Sequence, residues 1–223
     1  MAGRDQHALG AQAERLGASG ERGLPPDRGR TAAVAVVVAY LGVGGIAVAI
    51  DLALNRSPVA CDGWLGARGA ASWLLSLGLG IVLGAATVAA TPPMVRRWRW
   101  ARALHLALRP AVHRVGDGAI LAVAVASAVG EELLFRGLLV PLVGVVASSI
   151  AFGLLHQIGG KARWGWMAWA TLMGLLFGAV FAMTGSLVGP LIAHAAINHS
   201  NLRFLRDNDP SPRRRALGGL LRR

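Results

Sequence analysis

The sequence predicts an all-α fold, a polytopic membrane bundle of about six transmembrane helices with a basic amphipathic segment lying in the headgroup region. Three observations carry this expectation. Of the 223 residues 54% are hydrophobic and 15% charged, with a mean hydropathy of +0.52, a balance too apolar for a soluble domain of this length. Several runs reach the roughly 20 apolar residues that cross about 30 Å of hydrocarbon, and they lack the period-2 alternation of barrel strands, so their backbone groups must be satisfied within helices. The 23 Lys and Arg residues cluster just outside those runs, where cytoplasmic membrane flanks carry them.

Taken in order, residues 1–30 form a polar tail with mixed charge and no core of its own. Thr31–Leu54 is the first span, and Asp51 near its end reads as an interfacial residue. Asn55–Gly69 is a short polar loop. Ala70–Thr91 is the second span, stopped by Pro92-Pro93, and its small residues Gly78, Gly80, Gly84 and Ala85 allow close helix contact. Between Arg96 and Arg114 arginines alternate with Leu104, Leu106 and Leu108, the pattern of a helix lying in the membrane interface. His105 and His113 belong to its wet surface.

Gly118–Val140 is the third span, ending at Pro141, and Leu142–His156 the fourth. Lys161 to Arg163 make a basic turn. Trp164–Met183 is the fifth span, with Trp164, Trp166 and Trp169 as an interfacial belt. Leu187–Leu205 is the sixth, and residues 207–223 form a basic tail. Residues 31–114 thus group as two leading spans with the interfacial segment, and residues 115–206 as a core of four spans.

The basic stretches all fall on one side of a six-span arrangement, which places both termini in the cytoplasm. The abundance of Ala and Gly, and arginine at every basic position but Lys161, suggests a GC-rich bacterial genome and so a bacterial inner membrane. The net charge of +12 is explained by topology and contact with anionic lipid, and no nucleic-acid partner is expected. Cys61 is the sole cysteine, which excludes an intramolecular disulfide and cysteine-based zinc sites. The Pro58–Cys61 context is a weak match to a lipoprotein cleavage site, and the long preceding run argues against it.

Chemistry is concentrated in the last four spans. Glu131, Glu132 and Arg136 interrupt a run that is otherwise apolar from Ala119 to Val146. Ionised groups at that depth cost several kcal/mol and usually line an internal cavity with a partner. Glu132 and Arg136 stand at i,i+4 with the acid first, the better order for a helical ion pair. Glu131 lies about 100° round the helix and points elsewhere. Phe152 and His156 share one helix face, as do His194 and Asn198. Phe152 reads as packing, and His199 points off that face.

Brought together, a Glu, two His and an Asn suit the hydrolysis of an amide. A partly desolvated Glu131 is a competent base for a water, and His156 can share its proton or orient that water. His194 and Asn198 can donate to the oxyanion of a tetrahedral intermediate, a contribution of about 3 kcal/mol per donor. Depth is an obstacle: at about 1.5 Å per residue, the expected boundaries put His156 near the cytoplasmic face, and Glu131 and His194 near the other.

In this order, Glu131-Glu132-x3-Arg136 with the following Gly137, Phe152-x3-His156 and His194-x3-Asn198 resemble the three signature motifs of the CPBP family of intramembrane proteases. This family, also called the Abi or CAAX-protease family, includes the type II CAAX prenyl endopeptidases. The resemblance spans about Ala119–Leu202 and takes in Gly185-Ser186-Leu187 ahead of the His194 helix. It implies an intramembrane endopeptidase acting on a membrane-associated peptide or protein. In that reading Glu131 is the base for the attacking water, His156 its assistant, His194 and Asn198 the oxyanion site, and Glu132 and Arg136 supporting residues. No cofactor is favoured. Zinc held by Glu131, His156 and His194 is the alternative, since that set matches the ligand count of a catalytic zinc site, although His-Glu-x-x-His is absent.

Other intramembrane proteases fit less well. Arg114-Val115-Gly116-Asp117 lacks the first glycine of the aspartyl type, and no rhomboid-like Gly-x-Ser stands out. A small proton-coupled carrier would also keep Glu and His in its spans, but no paired repeat is visible. A catalytically silent immunity or scaffold protein would not need intact motifs.

Overall fold

A computed structural model describes residues 26–210, and residues 1–25 and 211–223, the bulk of the two expected tails, lie outside it. The described chain is helical: α1 (Pro26–Ala53), α2 (Gly69–Arg97), α3 (Arg99–Val112), α4 (Asp117–Glu132), a π-helical stretch (Leu133–Leu139), α5 (Val140–Leu155), α6 (Arg163–Thr184) and α7 (Val188–Asp207). Four helical stretches are long and apolar enough to cross a membrane: Arg30–Ala53, Gly69–Arg97, Asp117–Leu155 and Arg163–Thr184. The stretch expected as the sixth span is helical, as α7, but is not among these four. Its His194, Asn198, His199, Asn201, Arg203 and Arg206 leave it less apolar than the other four.

The third and fourth expected spans form one helical stretch folded on itself. Gly144 leaves the helix at φ 83°, ψ 165°, a backbone conformation that residues with a Cβ rarely adopt. Beyond it the chain runs back: the rings of Phe135 and Phe152 meet edge-on at 4.9 Å, whereas 17 residues of straight helix would separate them by about 25 Å. Ser148 Oγ donates to the Phe135 carbonyl across the fold at 2.9 Å. The turn therefore falls three residues after Pro141. Pro141 has no N–H to donate, which withdraws a helical partner from the turn before it, and the Gly137 carbonyl there accepts from Arg56 Nη2 at 3.4 Å.

This fold removes the depth obstacle. Gly144 follows Glu131 by 13 residues and precedes His156 by 12, distances of about 20 and 18 Å along their helices. The two side chains therefore come back to one level.

In the bundle α1 packs on α4, α4 on α7, α7 on α2, and α5 on α6. Of the small residues expected to permit close contact, Gly80 abuts Gly189 and Gly84 abuts Ala193, while Gly78 faces open space. The burial pattern is inverted relative to a soluble protein: Val38, Ile46, Leu74, Val82 and Val146 are exposed, whereas Ser76, Glu132, Arg136 and His194 are buried. Hydrocarbon surroundings favour this arrangement, because polar groups find partners only inside. The protein is a helical membrane protein.

One expectation about a surface residue is corrected. His105 is 2% exposed. Its Nε2 meets the Asn208 carbonyl at 2.9 Å and its ring stands edge-on to Phe204 at 5.2 Å, because α3 turns the face of Ala101 and His105 inward onto the end of α7. Asp51, near the end of α1, is fully buried, 3.4 Å from Arg56 Nη2, the arginine that also reaches the Gly137 carbonyl.

Candidate active site

Glu131 and Glu132 are the last residues of α4, where its α-helical ladder widens into the π-helical stretch. Such wide turns are uncommon and frequently occur at functional sites. Arg136 sits inside the wide turn, yet the expected ion pair forms, with Arg136 Nη1 2.9 Å from Glu132 Oε1. The arginine is 1% exposed and the glutamate 0%. The guanidinium is compensated on several sides: Nη2 donates to the Gly174 carbonyl at 3.3 Å, and its carbon lies 4.6 Å from the Phe152 ring centre and 5.2 Å from that of Phe177. Aromatic faces attract a desolvated cation, and the packing role expected of Phe152 therefore includes an electrostatic one.

Glu132 has a second partner that its sequence position did not reveal. His194 Nδ1 lies 2.7 Å from the same Oε1. A carboxylate held by an arginine only accepts, so Nδ1 carries the proton and donates. Phe177 stacks on the imidazole at 5.2 Å and 22°, fixing its plane. Arg136, Glu132 and His194 thus form one chain of contacts from the π-helical stretch to α7.

Glu131 faces the opposite end of that imidazole. His194 Nε2 lies 3.5 Å from Glu131 Oε2, and His156 Nε2 lies 3.9 Å from the same oxygen. His156 ends α5, and its Nδ1 meets the Phe152 carbonyl at 2.7 Å. A carbonyl only accepts, so this Nδ1 also carries a proton, leaving Nε2 of neutral His156 as an acceptor. Glu131 Oε2 is buried and makes no direct hydrogen bond. One carboxylate oxygen and two ring nitrogens therefore face each other at distances that suit a shared small molecule.

Asn198, one turn after His194, donates from Nδ2 to Ser127 Oγ at 3.0 Å, and Ser127 in turn donates to the Ala124 carbonyl at 3.1 Å. The amide is thus held by a residue that the sequence reading passed over. Ser127 lies four residues before Glu131 and so on the same face of α4, a signal that was available. Tyr40 was also passed over: it comes from α1 and its side chain lies within hydrogen-bonding reach of Glu131.

His156, Trp166, Phe177, His194 and Asn198 are among the walls of a cavity of about 50 Å³. Trp166, Trp169 and Asn201 also line an adjoining, mostly apolar cavity of about 100 Å³ beneath α3. Glu131, His156 and His194 have the donor types of a catalytic zinc site, but no group of three His, Cys, Asp or Glu side chains among the described residues is arranged to hold a metal ion.

Residues 118–200 match the family model described as type II CAAX prenyl endopeptidase Rce1-like. The matched stretch contains Glu131, Glu132, Arg136, His156, His194 and Asn198, and it defines the class of the protein, an intramembrane endopeptidase. That model belongs to the CPBP, or CAAX-protease, family, and it is residues 118–200 that resemble it. No curated protein and no solved structure matches the chain. As a membrane-associated endopeptidase it acts on a peptide or protein substrate.

Proposed function

We propose that the protein cleaves a peptide bond of a membrane-associated peptide or protein by direct attack of a water, with Glu131 as the base and no metal. The observation that carries this reading is the facing of Glu131 Oε2 by both imidazole Nε2 atoms, at 3.5 and 3.9 Å. A water placed among them donates one proton to Glu131 and a second to His156 Nε2. As Glu131 removes its proton, the water oxygen bonds to the substrate carbonyl carbon. The carbonyl π electrons move to oxygen, and the C–N bond then breaks as Glu131 returns the proton to the leaving nitrogen.

The oxyanion is held by Asn198 and His194. Asn198 Nδ2 has a second N–H beyond the one given to Ser127 and donates in every protonation state. With Nδ1 committed to Glu132, His194 donates from Nε2 when both ring nitrogens carry a proton. Glu132 and Arg136 act one step back, by fixing the ring of His194. The cavity holds a few waters and not a peptide segment. Substrate therefore enters by displacing part of its wall, and the apolar cavity under α3, which shares Trp166, Trp169 and Asn201 with it, adjoins that wall.

The same reading makes this a multi-pass protein of the bacterial inner membrane with both termini cytoplasmic, supported by the basic flanks. Residues 115–206 form its catalytic core. The test is cleavage of apolar peptides by the purified protein in detergent, followed by mass spectrometry. Glu131→Gln, His156→Ala and His194→Ala should each lose cleavage while remaining folded. Cleavage that is abolished by a chelator and restored by zinc would transfer the site to a metal mechanism. A wild type inactive on every membrane-associated peptide would favour a carrier or scaffold role.

A further inference from the structure

Tyr40 is the only tyrosine in the chain and sits in α1, in a run of Ala, Val, Leu and Gly. Its place is fixed by the backbone. α1 crosses α4 so closely at this level that a Cβ on Gly130 would collide with the Tyr40 carbonyl, and Gly44, one turn further along α1, lies against Gly130 and Leu133. Glu131 follows Gly130 directly, so the crossing delivers the half-buried Tyr40 side chain to the Glu131 carboxylate, within hydrogen-bonding reach.

We propose that Tyr40 is a positioning residue for Glu131, its hydroxyl donating to the carboxylate so that Oε2 stays turned toward His156 and His194. The terminal torsion of a glutamate has a broad, roughly two-fold profile, and Oε2 makes no direct hydrogen bond of its own. His156 and His194 approach the carboxylate at Oε2, at 3.9 and 3.5 Å, too far to hold it by direct hydrogen bonds. The phenol is the neutral donor that can hold the group without adding a charge to an already crowded ionic cluster. The inference rests on the assignment of Glu131 as the base.

The test has two arms. Growing the protein on 3-fluorotyrosine labels position 40 alone, apart from any tag, and its fluorine resonance reports the contact whether or not a substrate is known. It should shift in Glu131→Gln and stay in place in Asp51→Asn, three turns along the same helix. In the second arm, Tyr40→Phe keeps the packing and removes the hydroxyl. It should lower kcat by about 10- to 100-fold, with KM and the melting temperature close to those of the wild type. An unmoved fluorine resonance in Glu131→Gln, or a Tyr40→Phe enzyme with wild-type kcat, overturns the proposal. A wild type without peptidase activity overturns the hydrolytic reading instead, and the fluorine arm still decides the contact.

Discussion

Replacing Arg136 with Met is the most informative single change to the buried ion pair. The substitution keeps the volume of the stem inside its aromatic surroundings but removes the hydrogen bond to Glu132 at 2.9 Å, the one to the Gly174 carbonyl at 3.3 Å and the attraction to the Phe152 and Phe177 rings. A hydrogen bond to a charged group contributes about 1.5–3 kcal/mol, and a desolvated cation over aromatic rings about 2 kcal/mol. Against this, methionine avoids the cost of burying the guanidinium. Glu132, with no exposed surface and no partner at Oε2, would keep only His194. Breaking a buried pair in this way costs about 3–5 kcal/mol, and a loss near 4 kcal/mol is expected. Unfolding in mixed micelles with a denaturing detergent, followed through the seven tryptophans, measures it. Glu132→Leu combined with Arg136→Met removes both charges and should recover about 2 kcal/mol of that loss. It should remain inactive, because His194 has lost its acceptor. A single variant within about 1 kcal/mol of the wild type, or a double variant no more stable than the single, would refute this account of the pair.

Other consequences are open to direct measurement. Asn198→Ala should lower kcat by about 100- to 1,000-fold with little change in KM, and Ser127→Ala should give a smaller loss in the same kinetic assay by freeing the amide. Gly144→Val puts a β-branched residue at φ 83°, which should cost about 1–3 kcal/mol and reduce peptidase activity by moving His156 away from Glu131. Gly130→Ala forces α1 off α4 at Tyr40, and the overpacking should lower stability by about 1–3 kcal/mol in the micelle unfolding assay. Prolonged dialysis against a chelator should leave peptide cleavage at its starting rate.

Local spacing carried much of this site, and contacts made by folding carried the rest. The pairing of Glu132 with Arg136 follows from i,i+4 spacing, which survives the change to a π-helical turn. That Glu131 would point away from its neighbour also followed from helix geometry. What spacing could not supply was the level of each residue in the bundle. Pro141 drew the expected turn toward itself, because proline is the stronger local signal, yet the chain reverses at Gly144, where a left-handed conformation is available. Those few residues decide whether His156 reaches Glu131. His105 was misread for a related reason: on an amphipathic helix a histidine among arginines resembles surface, and only the packing of α3 on the end of α7 buries it. Tyr40 was invisible as a partner because an aromatic residue in an apolar run carries no chemical signal until the helix crossing at Gly130 is known.

The central claim is that water attacks the peptide carbonyl directly, with Glu131 as base. A single turnover with enzyme in excess, run in heavy-oxygen water and read by mass spectrometry, tests it most directly. The account predicts that the new C-terminal carboxylate carries one heavy oxygen and that the peptide containing Glu131 carries none. A heavy oxygen in Glu131, with ordinary oxygen in the product, would make the glutamate a nucleophile and contradict the account.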